Sequence, residues 1–370
     1  MNTLPHDPPP THGGQLRQIA TRYGIAAEQL IDFSANINPD GPPLSVQSAI
    51  RRALDDLSTL STYPDLELAE LKQAIAKYTC VQPGNVAVAN GFVPLLEAAL
   101  RALKIERCLL PVPSFGEYRR TLENSSVVVI PWRLSHDEGF KYEIDEILKA
   151  LLDHACDAIL LANPQNPSGV LWEAEKIQRL IEIAAQRCIT VLLDEAFIDY
   201  CPVDSFTRQS TEWANVVVFR SLTKFFAVPG LRVAYAVSNP LITEAVSRLI
   251  APWPITGFAS DAVCAALQDR TYAEESRLAN ARRRLWLKRE LAALKIATYQ
   301  SSANFLLLQF PGRVDVNLLW ERMIAEEQVV LRSCINFEGL ASGHLRIAVR
   351  SEPDNERLIC GLGRVLSGFA

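Results

Sequence analysis

Long basic runs are missing from these 370 residues: none is longer than Arg282-Arg283-Arg284, and the formal net charge is −5. A nucleic-acid partner is bound by clustered basic side chains that replace phosphate counterions, so that function class has no support. Long apolar runs are missing too. None approaches the roughly 20 uncharged residues that a helix needs to cross a bilayer, so no membrane span is expected. The N-terminus carries Pro5, Pro8, Pro9 and Pro10 in place of the apolar core of a signal peptide, and residues 1–11 read as a flexible arm. No C-x-x-C pair is found among the eight cysteines, Cys80, Cys108, Cys156, Cys188, Cys201, Cys264, Cys334 and Cys360. Most of them lie in or beside apolar runs, which implies buried free thiols in a reducing compartment and no disulfide framework or metal site. A cytoplasmic protein is expected. Internal repeats are absent as well.

What is present is globular material. Hydrophobic residues make up 49% and charged residues 21%, in a chain long enough for two domains. From residue 86 short apolar runs alternate with helical patterns. Strands are expected at 86–89, 108–111, 127–130, 158–162, 190–193, 216–219 and 231–237. Helices are expected at 94–103, 116–122, 144–152 and 174–186. Repeated β-then-α units of this length predict a mostly parallel sheet with helices on both faces, whose ligand sits beyond the carboxyl ends of the strands. Before them, 15–23, 45–54 and 66–78 read as helices. After Pro240 helices dominate (241–249, 258–268, 272–294, 316–326, 353–366), with strands at 304–309, 329–332 and 344–349 forming a smaller α+β unit.

The polar motifs fall at the expected strand ends. Ser221-Leu222-Thr223-Lys224 follows one strand, with Arg232 eight residues beyond the lysine. A poorly solvated lysine loses basicity and becomes a nucleophile, and serine with arginine suits a phosphate. An amine beside a phosphate cradle suggests pyridoxal 5′-phosphate held as a Schiff base to Lys224; a surface lysine in an ordinary loop is the plain alternative. Asn163-Pro164-Gln165-Asn166-Pro167-Ser168-Gly169 forces an irregular turn at another strand end and places an amide in the crevice. Asp194 is the first polar residue after the strand at 190–193. It is suited either to a protonated pyridine nitrogen or to capping a helix.

Taken together, Asn166, Asp194, Lys224 and Arg232 resemble the cofactor residues of fold-type-I pyridoxal-phosphate enzymes, in order and in spacing, over nearly the whole chain. The resemblance implies that α/β fold: a large cofactor-binding domain at 46–270 and a small C-terminal α+β domain at 271–370, with an N-terminal arm at 1–45 packing on the latter. It implies roles as well. Asn166 would meet the phenolic oxygen, Asp194 the ring nitrogen and Arg232 with Ser221 the phosphate, while Phe115 stacks on the ring. Tyr63 would reach the phosphate of a partner subunit, making the site a property of a homodimer.

The segments His12-Gly13-Gly14, Phe33-Ser34-Ala35-Asn36-Ile37-Asn38-Pro39, Ala251-Pro252-Trp253, Asn336-Phe337-Glu338-Gly339-Leu340 and Arg346-Ile347-Ala348-Val349-Arg350 are similar to those of threonine-phosphate decarboxylases of cobalamin biosynthesis. The related histidinol-phosphate aminotransferases typically have a tyrosine where Phe197 stands. The likeness implies a substrate carboxylate on Arg346, a substrate phosphate on Arg332 and His12, and Asn36 and Asn166 lining the same site. The implied reaction is decarboxylation of a phosphorylated amino acid, L-threonine O-3-phosphate, to (R)-1-amino-2-propanol O-2-phosphate. One stretch departs from the family. After Asn90-Gly91, where a small residue and a hydroxyl or acidic residue are usual, the chain reads Phe92-Val93-Pro94. Backbone amides at Gly91 and Phe92 can still serve the cofactor phosphate, but Pro94 has no N–H and no hydroxyl is supplied. Lys224 and Asp194 serve transamination equally well. An aminotransferase of the histidinol-phosphate type is therefore the alternative, with a non-catalytic binding protein on the same scaffold as a third reading.

Overall fold

The computed structural model describes residues 9–340 and 342–369; of the arm expected at 1–11, residues 1–8 lie outside the described residues. The strands in chain order are β1 (Ile31–Asp32), β2 (Val86–Ala89), β3 (Arg107–Val112), β4 (Val128–Arg133), β5 (Ala158–Ala162), β6 (Thr190–Asp194), β7 (Val216–Ser221), β8 (Ala234–Val237), β9 (Ala297–Thr298), β10 (Phe305–Gln309), β11 (Val329–Val330), β12 (Arg332–Ser333) and β13 (His344–Ala348). Seven of them form the main sheet in the order β2-β8-β7-β6-β5-β3-β4. Neighbours from β7 to β4 run parallel, and β8 is antiparallel to both β7 and β2. Parallel neighbours need long crossovers, which the intervening helices supply. β7 and β8 are joined by the 222–233 segment alone and pair antiparallel.

Successive strand side chains point to opposite faces, and both faces are apolar. Cys108 and Leu110 join the core beneath the helices Phe92–Ala102 and Gly116–Asn124. Leu109, between them, faces the helices Ile144–Asp153 and Ala174–Gln186. Val86 and Val88 face a third cluster under Leu44–Asp55, Ala69–Thr79 and Gly257–Gln268. Among the described residues no helix is long and apolar enough to cross a membrane.

The C-terminal part builds an antiparallel sheet, β12-β13-β10-β9, and a parallel pair of β1 with β11. Its core takes Ile19 and Phe33 from the N-terminal segment together with Leu319, Met323, Leu358 and Leu362 of the helices Val316–Glu327 and Glu352–Ser367. The helix Arg270–Ala293 enters both cores: Ala273 packs with the cluster that holds Val86 and Val88, Leu287 and Leu291 with the C-terminal one.

Three sequence expectations need correction. The strand expected at 329–332 is split at Leu331, whose carbonyl accepts the Trp320 indole N–H at 2.8 Å, so that its two halves serve different sheets. The strand expected from 231 begins at Ala234, because Pro229–Leu231 is a 3-10 turn and Arg232 takes φ 56°. The cysteines are free, but Cys80, Cys188 and Cys360 are exposed and Cys201 and Cys264 half-buried, which leaves Cys108, Cys156 and Cys334 as the buried thiols. Cys80 and Cys188 follow helices in the left-handed region, where chains reach the surface to turn.

Candidate active site

β5, β6 and β7 end together: Ala162 is in register with Asp194, and Asp194 with Phe219. The loops that follow therefore open on one edge of the sheet, bringing Asn166, Asp194 and Lys224 together. The Lys224 loop is pinned from outside. Asn38 donates its backbone N–H to the Lys224 carbonyl at 3.0 Å and its side-chain amide to the Phe225 carbonyl at 3.0 Å. Phe225 and Phe226 anchor it in the core.

The Lys224 amine lies 3.2 Å from Ser221 Oγ and 5.5 Å from the centre of the Phe197 ring. Burial lowers its pKa below the ordinary lysine value; Asp194 opposes this, and Arg232 and Arg346 add to it. An amine so placed spends more time neutral, the state in which it attacks a carbonyl. Asp194 is buried and shows the reverse effect. Desolvation raises its pKa, against the hydrogen bond from Tyr118, the charge of Lys224 and the Ala196 N–H.

Gly91 caps the helix Phe92–Ala102 with φ 97°, and a Cβ there would stand 3.0 Å from Arg232 Nη2. The helix starts at Phe92, two residues before the expected boundary, which puts Pro94 in the first turn. The N–H that proline lacks is one that a helix start leaves unpaired anyway. The amides of Phe92 and Val93 are kept, and the exposed Arg232 guanidinium lies beside Gly91 just ahead of them. The departure from the family pattern thus removes a hydroxyl without breaking the helix N-terminus.

A second cluster lies on the small sheet. Arg332 and Arg346 face each other across β12 and β13, and both are buried, at 5% and 7% exposure. Arg346 donates to Asn166 Oδ1 at 2.7 Å and to the Ser34 carbonyl at 3.3 Å. Arg332 donates to the carbonyls of Pro10 and Thr11 and to Asn336 Oδ1, at 3.3, 2.6 and 2.8 Å. Among the described residues neither has a carboxylate partner. Burial, with the Arg332 charge second, pushes the Arg346 pKa down to about 9, which leaves it cationic at neutral pH. Like charges placed opposite in a sheet repel, and these two guanidinium groups are met by neutral acceptors only in the contacts named here. Asn36 Oδ1 is buried without a partner.

His12-Gly13-Gly14 lies against the same place. A Cβ on Gly13 would stand 2.1 Å from the Ser34 carbonyl oxygen, and the Gly14 N–H donates to Ser34 Oγ at 2.9 Å. His12 Nε2 lies 3.1 Å from Glu117 Oε1, and its ring meets the Phe115 ring at 6.3 Å. An anion reaching His12 would share it with that carboxylate. Tyr63 stands outside the cluster: it is 80% exposed and stacks on Trp253 at 4.7 Å.

Sequence reasoning missed several neighbours. Tyr118 touches Asp194, and Phe197 lies under Lys224. Arg220 is buried with Asp199 at 2.6 Å and Glu195 at 3.7 Å. Tyr118 lies three residues beyond Phe115, in the first turn of the helix that Phe115 precedes, and that spacing is the one signal the sequence offers.

The donor set fits pyridoxal 5′-phosphate. An amine of lowered basicity, a buried carboxylate, and a helix start beside a guanidinium held close by a glycine match its aldehyde, ring nitrogen and phosphate. Residues 28–362 match the family described as aminotransferase class I and II. The chain is 36% identical to the threonine-phosphate decarboxylase of Salmonella typhimurium, over 97% of each chain. It is 27% identical to an adenosylcobalamin biosynthesis bifunctional protein of Leptospira interrogans, covering 97% of this chain and 41% of that longer protein. The structure of the histidinol-phosphate aminotransferase from Clostridium acetobutylicum superposes with a TM-score of 0.85 at 29% identity, covering 92% of this chain and 100% of that one.

Proposed function

The chain belongs to the class I and II aminotransferase family, and from that premise we propose that it is a pyridoxal-phosphate-dependent decarboxylase of a phosphorylated amino acid. The substrate is L-threonine O-3-phosphate and the product (R)-1-amino-2-propanol O-2-phosphate, in cobalamin biosynthesis. The likeness to the Salmonella and Leptospira proteins supports this. The observation that carries it is the buried pair Arg332 and Arg346, cross-strand neighbours without a carboxylate partner among the described residues. A substrate bearing both a carboxylate and a phosphate supplies two anions to this pair.

The cofactor is pyridoxal 5′-phosphate, and when bound it supplies an electron sink for the pair released as the carboxylate leaves. Lys224 would hold it covalently. Asp194 would meet its ring nitrogen, Asn166 its phenolic oxygen and Phe115 its ring, while Gly91, Phe92, Ser221 and Arg232 would take its phosphate. Arg346, fixed by Asn166 and Ser34, holds the substrate carboxylate, and Arg332 with His12 holds the phosphate; Asn36 lines the same pocket. Lys224 Nζ, held beside Ser221 Oγ, would be the group that returns a proton to the α-carbon after carbon dioxide departs.

The working unit is a cytoplasmic homodimer. Leu54, Leu57, Leu60, Tyr63 and Leu66 are large apolar side chains exposed along one segment, and an exposed apolar stretch suits an interface. A second copy covering it would bring Tyr63 to the partner's cofactor phosphate.

The test is product analysis with threonine phosphate. Carbon dioxide without keto acid is expected; keto acid formation with an acceptor would establish the aminotransferase alternative instead. Lys224→Ala should lose the lysine-bound cofactor absorbance and nearly all turnover, and retention of both would remove the basis of the assignment.

A further inference from the structure

Asp194 keeps both carboxylate oxygens engaged. Oδ1 accepts the Ala196 N–H at 2.9 Å, and Oδ2 accepts the Tyr118 hydroxyl at 2.5 Å, a short bond between two buried groups. The Tyr118 ring cannot swing away. It sits in the first turn of the helix Gly116–Asn124, with Phe115 edge-on at 5.6 Å and Phe92 at 5.5 Å. Phe92 in turn rests edge-on against Phe219 at 5.3 Å, and Phe219 is the register neighbour of Asp194 on β7. The residue that breaks the family pattern at the phosphate-binding helix is therefore the wedge that holds Tyr118 against the carboxylate.

The charged and titratable groups around Asp194 are few. Lys224 faces it from the 222–233 loop, Tyr118 from the helix Gly116–Asn124, and Tyr142 from the segment before Ile144, with its hydroxyl turned to the Ala162 carbonyl at 3.0 Å. Burial pushes the Tyr118 phenol far up, so it stays a donor at every working pH. The same burial works against the Asp194 anion, and of the effects that oppose it the Tyr118 hydrogen bond is the largest.

We propose that Tyr118 is a positioning residue for the reaction, its hydroxyl fixing the plane of the Asp194 carboxylate and sustaining the negative charge with which that carboxylate holds the cofactor. This rests on Asp194 meeting the ring nitrogen, and the experiment separates the two claims. Pyridoxal 5′-phosphate is bound to the apoprotein across a pH series, for wild type and for Tyr118→Phe, Tyr142→Phe and Asp194→Asn. For Tyr118→Phe the acid limb of cofactor affinity moves up by about one pH unit, near tenfold weaker binding within that limb. Its kcat falls while KM for threonine phosphate holds. Tyr142→Phe loses a buried phenol of the same kind and a similar amount of thermal stability, but keeps the wild-type limb. Fluorinated tyrosine at 118, a more acidic phenol and a stronger donor, moves the limb the other way. A limb that stays in place in both Tyr118 variants while Asp194→Asn binds weakly overturns the role of Tyr118. Unchanged affinity in Asp194→Asn overturns the ring-nitrogen reading, and this proposal with it.

Discussion

Arg220 and Arg346 are both buried arginines at the edge of the same site, and they are treated in opposite ways. Around Arg220 the chain supplies its own counter-charges: Asp199 at 2.6 Å, Glu195 at 3.7 Å, and the hydroxyls of Thr207 and Ser205 at 2.9 and 3.2 Å. Tyr78 closes the network by donating to Asp199 at 2.8 Å. Around Arg346 it supplies an amide, a carbonyl and two aromatic faces, Phe305 at 5.1 Å and Phe337 at 5.9 Å, with another arginine across the strand. The first arrangement braces the strand ends. The second holds the charge proposed to meet the substrate. A buried arginine is therefore informative through what surrounds it, and the missing carboxylates are as much a part of the site as the side chains present.

The contrast can be broken by exchanging stability for activity. Arg220→Ala leaves two buried carboxylates without their cation and should cost on the order of 3–5 kcal/mol of folding free energy, read as a large fall in unfolding midpoint. Arg346→Ala should do the reverse. Its removal relieves repulsion with Arg332, so the apoprotein unfolds at the wild-type temperature or above, while kcat/KM for threonine phosphate drops by a factor of hundreds or more, from the same 3–5 kcal/mol applied to a desolvated charge pair. Equal thermal losses in the two variants would erase the distinction.

Arg332→Ala sharpens it within the second cluster. A hydrogen bond to a charged group is worth about 1.5–3 kcal/mol. Turnover of threonine phosphate should therefore fall by one to two orders of magnitude, while the weak reaction with threonine itself changes little. Parallel losses on both substrates would show that this arginine does not read the phosphate.

The smallest effect concerns Asp194. Its carboxyl holds a proton to higher pH in the folded chain than in the unfolded one. The ionised form therefore costs apoprotein stability, a cost absent below the ordinary value of 3.8 and growing as pH rises through the folded value. Asp194→Asn apoprotein should melt about 1–2 °C above wild type at neutral pH and together with it in strong acid. Adding pyridoxal 5′-phosphate should reverse the neutral-pH order. Calorimetry with and without the cofactor tests both signs.

How far the sequence speaks depends on the length of the signal. The strands at 86–89 and 158–162 and the helix at 174–186 are continuous patterns bounded by turn residues, and their limits agree with the structure to the residue. Lys224, Asp194 and Asn166 are legible because each follows such a strand directly. The two-residue strands β11 and β12 are too short to carry a period, so the split at Leu331 is invisible before the sheets are seen. Tyr118 is hidden for another reason. Its helix follows β3 and Asp194 ends β6, and only the strand order, which places β5 between them, brings the two together. The carbonyls of Pro10 and Thr11 on Arg332 are backbone contacts, which no residue type announces.

The helix Arg270–Ala293 has a consequence for how this chain can change over evolution. Its 24 residues span about 36 Å, with one end fixed in the core around Val86 and Val88 and the other in the C-terminal core. A helix anchored at both ends acts as a gear shaft. Deleting one residue shortens it by about 1.5 Å and turns everything beyond by about 100°, swinging Arg332 and Arg346 away from Lys224 though none of the three is touched. Length variation should therefore be excluded from this helix and tolerated in the exposed 311–313 turn. The distance between the two halves of the site is written in the phase of a helix that contributes no residue to either.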